Sequence, residues 1–209
     1  MTAAQQTFQA RRLILAFGLI DHLPDLPGLA EYWGKSVFHC PYCNAYEVTG
    51  QRLGVLATRS ESLQQAIILL EWAKDITLFL NDSLQLTGAE RLRFVELGIK
   101  VESSPVQQLK GSPQRLRGLQ LNDGRTIEVD TLFTLPDTMF ASPLAEQLGC
   151  DIEAGSFGPM ITTDPMTKQT TTPGVFAAGD ITRPFHKVSL AVADGNLAGV
   201  FSHHSLVLP

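Results

Sequence analysis

Residues 52–80 restrict the fold more than any other stretch. Arg52-Leu53-Gly54-Val55-Leu56-Ala57 reads as a buried strand and Ile76-Thr77-Leu78-Phe79-Leu80 as a second. Between them, Ser62 to Lys74 reads as a helix with Leu63, Ala66, Ile67, Leu70 and Ala73 at helical spacing, and Ser60 stands where an N-cap is expected. Two strands joined by a helix pair in parallel through a right-handed crossover. The fold class is therefore α/β. Other elements fit that frame: a strand at Arg12–Ala16, a helix from about Thr87 to Leu97, and a short strand at Lys100–Glu102. A hairpin is expected around Asn122-Asp123-Gly124, then strands at Thr131–Leu135 and Pro173–Ala177, and a closing helix from about Val188 to His203. A chain of 209 residues can hold two small domains, and the pattern suggests two unequal lobes.

The charge balance removes several function classes. A net charge of −5 with scattered basic residues argues against a nucleic-acid surface or a polybasic membrane patch. No apolar run approaches the roughly 18 residues that cross a bilayer. Arg11 and Arg12 ahead of Leu13–Ile20 imitate a secretion signal, but the run lies late, ends at Asp21 and has no small-x-small cleavage site. A cytoplasmic location is expected. Three cysteines are too few for a secreted disulfide scaffold.

Two of those cysteines form Cys40-Pro41-Tyr42-Cys43, at an expected strand–helix junction. Thiols at i and i+3 there can close a disulfide, and a helix N-terminus favours the thiolate. One thiolate then attacks a partner disulfide and the second thiol resolves the mixed species. A zinc site would need two more ligands, and neither His22 nor His39 comes at a usual pairing distance, so no metal is expected. A structural pair and a glutaredoxin-like pair are the other readings. Cys150 stands alone and reads as an ordinary buried thiol.

A second motif lies at Thr172-Pro173-Gly174-Val175-Phe176-Ala177-Ala178-Gly179-Asp180. It is a strand ending in small residues, a glycine and a carboxylate. Small residues let a ligand approach the backbone, and Gly179 tolerates dihedrals that other residues resist. Asp180 would sit at the C-terminal end of a parallel strand, where open α/β sheets bind ligands. Its carboxylate can accept from a sugar-alcohol hydroxyl. The helix starting near Lys187-Val188 could turn its N-terminal amides to an electron-rich carbonyl. The plain alternative is a strand, a turn and an N-cap.

This segment resembles the second flavin-binding motif of the pyridine nucleotide–disulfide oxidoreductases, in particular the low-molecular-weight thioredoxin reductase group. Arg11–Gly18 followed by Leu26-Pro27-Gly28 resembles the passage between that family's two domains, and Cys40–Cys43 falls where its redox pair lies. The Cys-Pro-Tyr-Cys form is closer to the branch that includes dithiol oxidases and thioredoxin-reductase-like proteins. The resemblance implies two Rossmann-like lobes. Residues 1–35 and 131–209 would form the flavin domain, and 36–130 the NAD(P)-type domain that carries the cysteines. It further implies FAD as cofactor, with Gly179, Asp180, Lys187 and Val188 at the flavin. Cys43 would face the flavin and Cys40 would exchange with the substrate, a small protein or a small-molecule dithiol or disulfide. Homodimerisation is implied as well.

The departures from the family pattern are specific. The turn Ala57-Thr58-Arg59-Ser60-Glu61-Ser62 has no glycine where a dinucleotide turn needs Gly-x-Gly-x-x-Ala. Leu80-Asn81-Asp82 stands where the family places a His-Arg-Arg cluster for the NADPH 2′-phosphate. A carboxylate 4 Å from a phosphate charge costs about 1 kcal/mol in water and about 4 kcal/mol when partly buried. Standard NADPH binding is therefore not expected; Arg59, Lys74 and Arg91 are the nearby cations, each reading as a solvated charge. Asn44 replaces the acidic residue that follows the second cysteine in thioredoxin reductases and cannot titrate. Proton delivery would fall to another group, with His39 and His186 as candidates. The family's first Gly-x-Gly-x-x-Gly has no counterpart here, so the flavin lobe is expected to be incomplete at its N-terminus. The leading expectation is FAD-mediated dithiol/disulfide exchange through Cys40 and Cys43. Two alternatives stay open: a non-enzymatic partner of an intact paralogue, pairing with a chain that supplies the missing half, and a flavin-free thiol–disulfide oxidoreductase.

Overall fold

Strand, helix and strand occur where the apolar runs place them: Leu53–Leu56, Glu61–Ile68 and Ile76–Phe79, the two strands parallel with Leu53 opposite Ile76. The computed structural model describes residues 2–3, 6–112 and 114–208. The chain divides into two units, Leu23–Pro136 and the paired segments 1–22 and 137–209.

The first of these units is built on a five-stranded parallel sheet. Its order is Val37–Phe38, Thr131–Thr134, Leu53–Leu56, Ile76–Phe79, Lys100–Glu102. Covered on both faces, the three middle strands are buried at every position, as their continuous apolar runs require. The Glu61–Ile68 helix lies on one side, with Leu53, Val55, Ala66, Leu69, Ile76 and Phe94 in a shared core. A three-stranded antiparallel layer, Val106–Ser112, Arg115–Leu121 and Thr126–Glu128, contributes Leu116, Leu119 and Leu121 to a second core with Leu56, Phe79 and Leu132. Gly54 is required by close approach: a Cβ there would stand 2.8 Å from Leu132 Cδ1.

Local chemistry sets the helix ends. Thr87 and Glu90 form a reciprocal capping box at the start of Gly88–Glu96. The helix expected over 62–74 is shorter: it ends at Ile68 and continues as a 3-10 turn, Leu69–Glu71. Ser60 does not cap it. Ser60 is itself helical, and Ser62 Oγ accepts the Thr58 N–H instead, at 3.2 Å.

The expected domain limits at 35/36 and 130/131 both fall inside this unit. Leu29 and Tyr32 lie in its second core, and Thr131–Thr134 hydrogen-bonds between two strands of its sheet. The carboxylate of Asp130 clamps Arg52 at 2.8 Å, which binds the last strand to the first half of the unit. Packing, not the motif spacing, fixes where the unit ends.

The other unit pairs Leu13–Leu15 with Val175–Ala177 in parallel, Leu13 opposite Val175. The helix Val188–Val207 packs on both strands, and Arg12 binds its C-terminal turn through Ser205 Oγ at 2.7 Å. Leu19–His22 pairs antiparallel with Asp137–Phe140, and Ile152–Ala154 with Pro159–Ile161. None of these four strands, nor Val106–Ser112, was expected from the sequence pattern. Among the described residues, no helix is long and apolar enough to cross a membrane.

Candidate active site: a cysteine pair and an open carboxylate turn

The sheet strand Val37–Phe38 runs directly into the cysteine pair. Cys40 is extended (φ −107°, ψ 112°), and Pro41 opens the helical turn Pro41–Asn44 with its fixed φ and missing N–H. The Cys40 carbonyl accepts from Cys43 N–H at 3.2 Å and from Asn44 N–H at 3.3 Å, so the turn folds Cys43 back over Cys40. The two Sγ atoms are 2.6 Å apart. The pair is therefore placed to close a disulfide.

Cys40 is 8% exposed, whereas Cys43 is exposed. Of the two thiols, Cys43 is the one open to a ligand or a partner in this arrangement. Aromatic rings frame the pair: Tyr42 meets Trp72 edge-on at 5.9 Å, and Trp33 stacks on His39 at 6.2 Å. The buried side chain of Gln65 donates to the His39 carbonyl at 2.6 Å. Among the described residues, no group of three or more His, Cys, Asp or Glu side chains could hold a metal ion. Cys150 is buried near Thr170, in the other unit.

The turn after Leu53–Leu56 is closed on itself. Thr58 N–H is taken by Ser62 Oγ, and Thr58 Oγ1 donates to the Leu135 carbonyl at 2.7 Å. Arg59 donates to the Pro136 carbonyl at 3.5 Å. Asn81 and Asp82 both adopt positive φ, and Asn81 Oδ1 accepts the Val106 N–H at 2.8 Å. Thr58, Ser62 and Asn81 are thus engaged in holding the fold, and Asp82 stands as a carboxylate where the family places cations for the 2′-phosphate. These residues do not fit NADPH.

The turn after Val175–Ala177 is different. Gly179 has φ 84°, which a glycine adopts without strain, and opens a 3-10 turn, Asp180–Thr182. Asp180 Oδ1 is buried and has no hydrogen-bond partner among the described residues. An acceptor left unmet in this way is what a hydroxyl-bearing ligand such as the flavin side chain would satisfy, so the residues present fit FAD on this side. Lys187 caps the helix Val188–Val207 from an extended conformation, and Val188 is exposed beside it. His186 lies against Phe157, at a ring separation of 6.4 Å.

Below that turn lies a buried ion cluster that the sequence reading missed. Asp194, 1% exposed, accepts from Lys168 Nζ at 2.9 Å, from Arg183 Nε at 2.8 Å and from Arg183 Nη2. Thr182 Oγ1 bridges from Asp194 Oδ2 to the Gly179 carbonyl, at 3.4 and 2.9 Å. Burial works to raise the Asp194 pKa, but the hydrogen bonds and charges of Arg183 and Lys168 outweigh it and hold the carboxyl below its usual range. The single carboxylate of the helix, among the small and apolar residues of its first half, was the available signal. Its partners, 26 and 11 positions away by number, were not readable.

The pyridine nucleotide-disulphide oxidoreductase family model matches residues 2–195. A thioredoxin reductase of Leptosphaeria maculans is 32% identical over 94% of this chain and 63% of its own length. One from Claviceps purpurea is 32% identical over 98% of this chain and 65% of its own. The crystal structure of an oxidoreductase from Agrobacterium tumefaciens superposes with a TM-score of 0.87 at 40% identity, covering 95% of this chain and 65% of that one. The chain thus spans a little under two thirds of the length of each of these three relatives. By this match and by its α/β fold, the chain belongs to the pyridine nucleotide-disulphide oxidoreductase family.

Proposed function

We propose that this chain carries out dithiol/disulfide exchange through Cys40 and Cys43 as a thioredoxin-reductase-like flavoprotein oxidoreductase. The observation that carries the reading is the 2.6 Å Sγ–Sγ approach on a turn that presents one thiol outward. In the exchange, a thiolate of the pair attacks the partner's disulfide and expels one partner thiolate. The second thiol, deprotonated, then attacks the mixed disulfide, closing Cys40–Cys43 and releasing the other partner thiolate. Two electrons pass from the pair to the partner, and the reverse sequence oxidises a dithiol. FAD, when bound, supplies two-electron exchange with the pair. Asp180 would hold its side-chain hydroxyls, the Gly179 turn would admit it, and Lys187 and Val188 would line its approach. The closed Ala57–Ser62 turn argues against NADPH as electron source; in the exchange a dithiol substrate would give two electrons to the pair and a disulfide substrate would take them up. The proposed partner is a small protein or a small-molecule dithiol or disulfide, and the proposed assembly is a homodimer or a pairing with a chain that completes the flavin site.

Serine substitutions test the division of labour. Cys43→Ser should abolish turnover and any thiolate–flavin charge-transfer band, whereas Cys40→Ser should leave a thiolate next to the flavin. Equal residual activity of both variants against dithiol and disulfide substrates would contradict a redox role.

A further inference from the structure

Gln65 is a buried polar side chain that the exchange chemistry leaves unused. It is 4% exposed on the Glu61–Ile68 helix, one turn before the core residue Leu69. Its Nε2 donates to the His39 carbonyl at 2.6 Å, and that carbonyl belongs to the same planar peptide as the Cys40 amide. Its Oε1 is buried and accepts no hydrogen bond among the described residues. A buried amide with an unmet acceptor is disfavoured against an apolar side chain of similar length. What glutamine provides at this position is therefore the bond to His39. On the far side of Cys40, its own carbonyl is held by Cys43 and Asn44 N–H. Cys40 is fixed at both of its peptides, by Gln65 before it and by the turn that carries Cys43 after it.

We infer that Gln65 is a positioning residue for the redox couple, holding the His39–Cys40 peptide so that Cys40 Sγ stays within bonding range of Cys43. The inference rests on the redox reading of the pair. Disulfide geometry is narrow. A clamp on the backbone therefore counts for more in the disulfide, whose sulfurs are constrained, than in the dithiol, whose side chains turn independently.

The test uses the full chain equilibrated in glutathione buffers. Cys40 and Cys43 thiols give two electrons and two protons to one glutathione disulfide, forming the Cys40–Cys43 disulfide and two glutathione thiols. Acid quenching, alkylation and mass spectrometry of the tryptic peptide 36–52 count this pair alone, because Cys150 lies outside it. Gln65→Leu and Gln65→Met should each lower the equilibrium constant for disulfide formation about tenfold, a potential higher by ~30 mV for this two-electron couple. Thermal unfolding should show the oxidised form losing more than the reduced one. If Gln65→Leu fails to fold, Gln65→Met, unbranched and similar in length, carries the comparison. A wild-type equilibrium constant with equal destabilisation of both forms would make Gln65 an ordinary core residue and overturn the inference alone. A wild-type pair that forms no disulfide at any glutathione ratio overturns the redox reading and this inference together.

Discussion

Each unit carries a turn at the C-terminal end of a parallel strand, and the two turns treat their polar groups in opposite ways. After Leu53–Leu56, Ser62 and the Leu135 carbonyl satisfy the amide and hydroxyl of Thr58. After Val175–Ala177, Gly179 turns the chain through positive φ and Asp180 Oδ1 stays buried without a partner. Both places are where open α/β sheets bind ligands. The first turn commits Thr58 to its own fold, and the second leaves a carboxylate oxygen unmet. The lesson is that a shared fold position says little until the hydrogen bonds around it are accounted for.

The largest effect should come from removing the support of the open turn. Asp194→Asn leaves Lys168 and Arg183 facing each other without the charge that pairs them, and breaking a buried pair in this way costs about 3 kcal/mol or more. Chemical denaturation of the variant should show that loss. The same cluster predicts a pH dependence. The folded pKa of Asp194 lies below its unfolded value, so the stabilisation is present above about pH 3.9 and is lost as the pH falls through the depressed folded value. An acid titration in which the variant's disadvantage shrinks as the pH falls below about 3.9 would agree; parallel curves for wild type and variant would not.

Next in size is the open acceptor itself. Asp180→Ala should lower flavin affinity roughly ten- to a hundredfold, since a hydrogen bond to a charged acceptor contributes about 1.5–3 kcal/mol. Denaturation should barely change, because Oδ1 has no protein partner to lose. Wild-type flavin occupancy in this variant would remove Asp180 from the site.

The closed turn should give the smallest effect. Ser62→Ala removes the acceptor for Thr58 N–H and should cost about 1 kcal/mol, read as a small fall in the denaturation midpoint. It should not open a nucleotide site, because Thr58 Oγ1 still holds Leu135 and no glycine is gained.

The sequence was legible where a local pattern carries the information. The apolar runs at 53–56 and 76–79, the Asn122-Asp123-Gly124 hairpin and the long closing helix all appear where periodicity and turn chemistry put them. Cys40 and Cys43 come together because their spacing alone brings them within one turn. The strands Leu19–His22 and Asp137–Phe140 were not legible, being short, half-exposed and paired across more than a hundred residues. Gln65 and Asp194 were missed for a related reason. Each looks like an ordinary polar residue on a helix, and its importance lies in a partner, His39 or Lys168, that only the folded chain brings near. The unit boundary was displaced because Thr131–Thr134 resembles the start of a new segment in sequence but completes the existing sheet in space.

The contrast between the two turns is tested most directly by calorimetric titration of the full chain with FAD and, separately, with NADPH. The account predicts saturable heat from FAD, weakened in Asp180→Ala, and no saturable heat from NADPH. Micromolar NADPH binding, or FAD binding that is indifferent to Asp180, would contradict it.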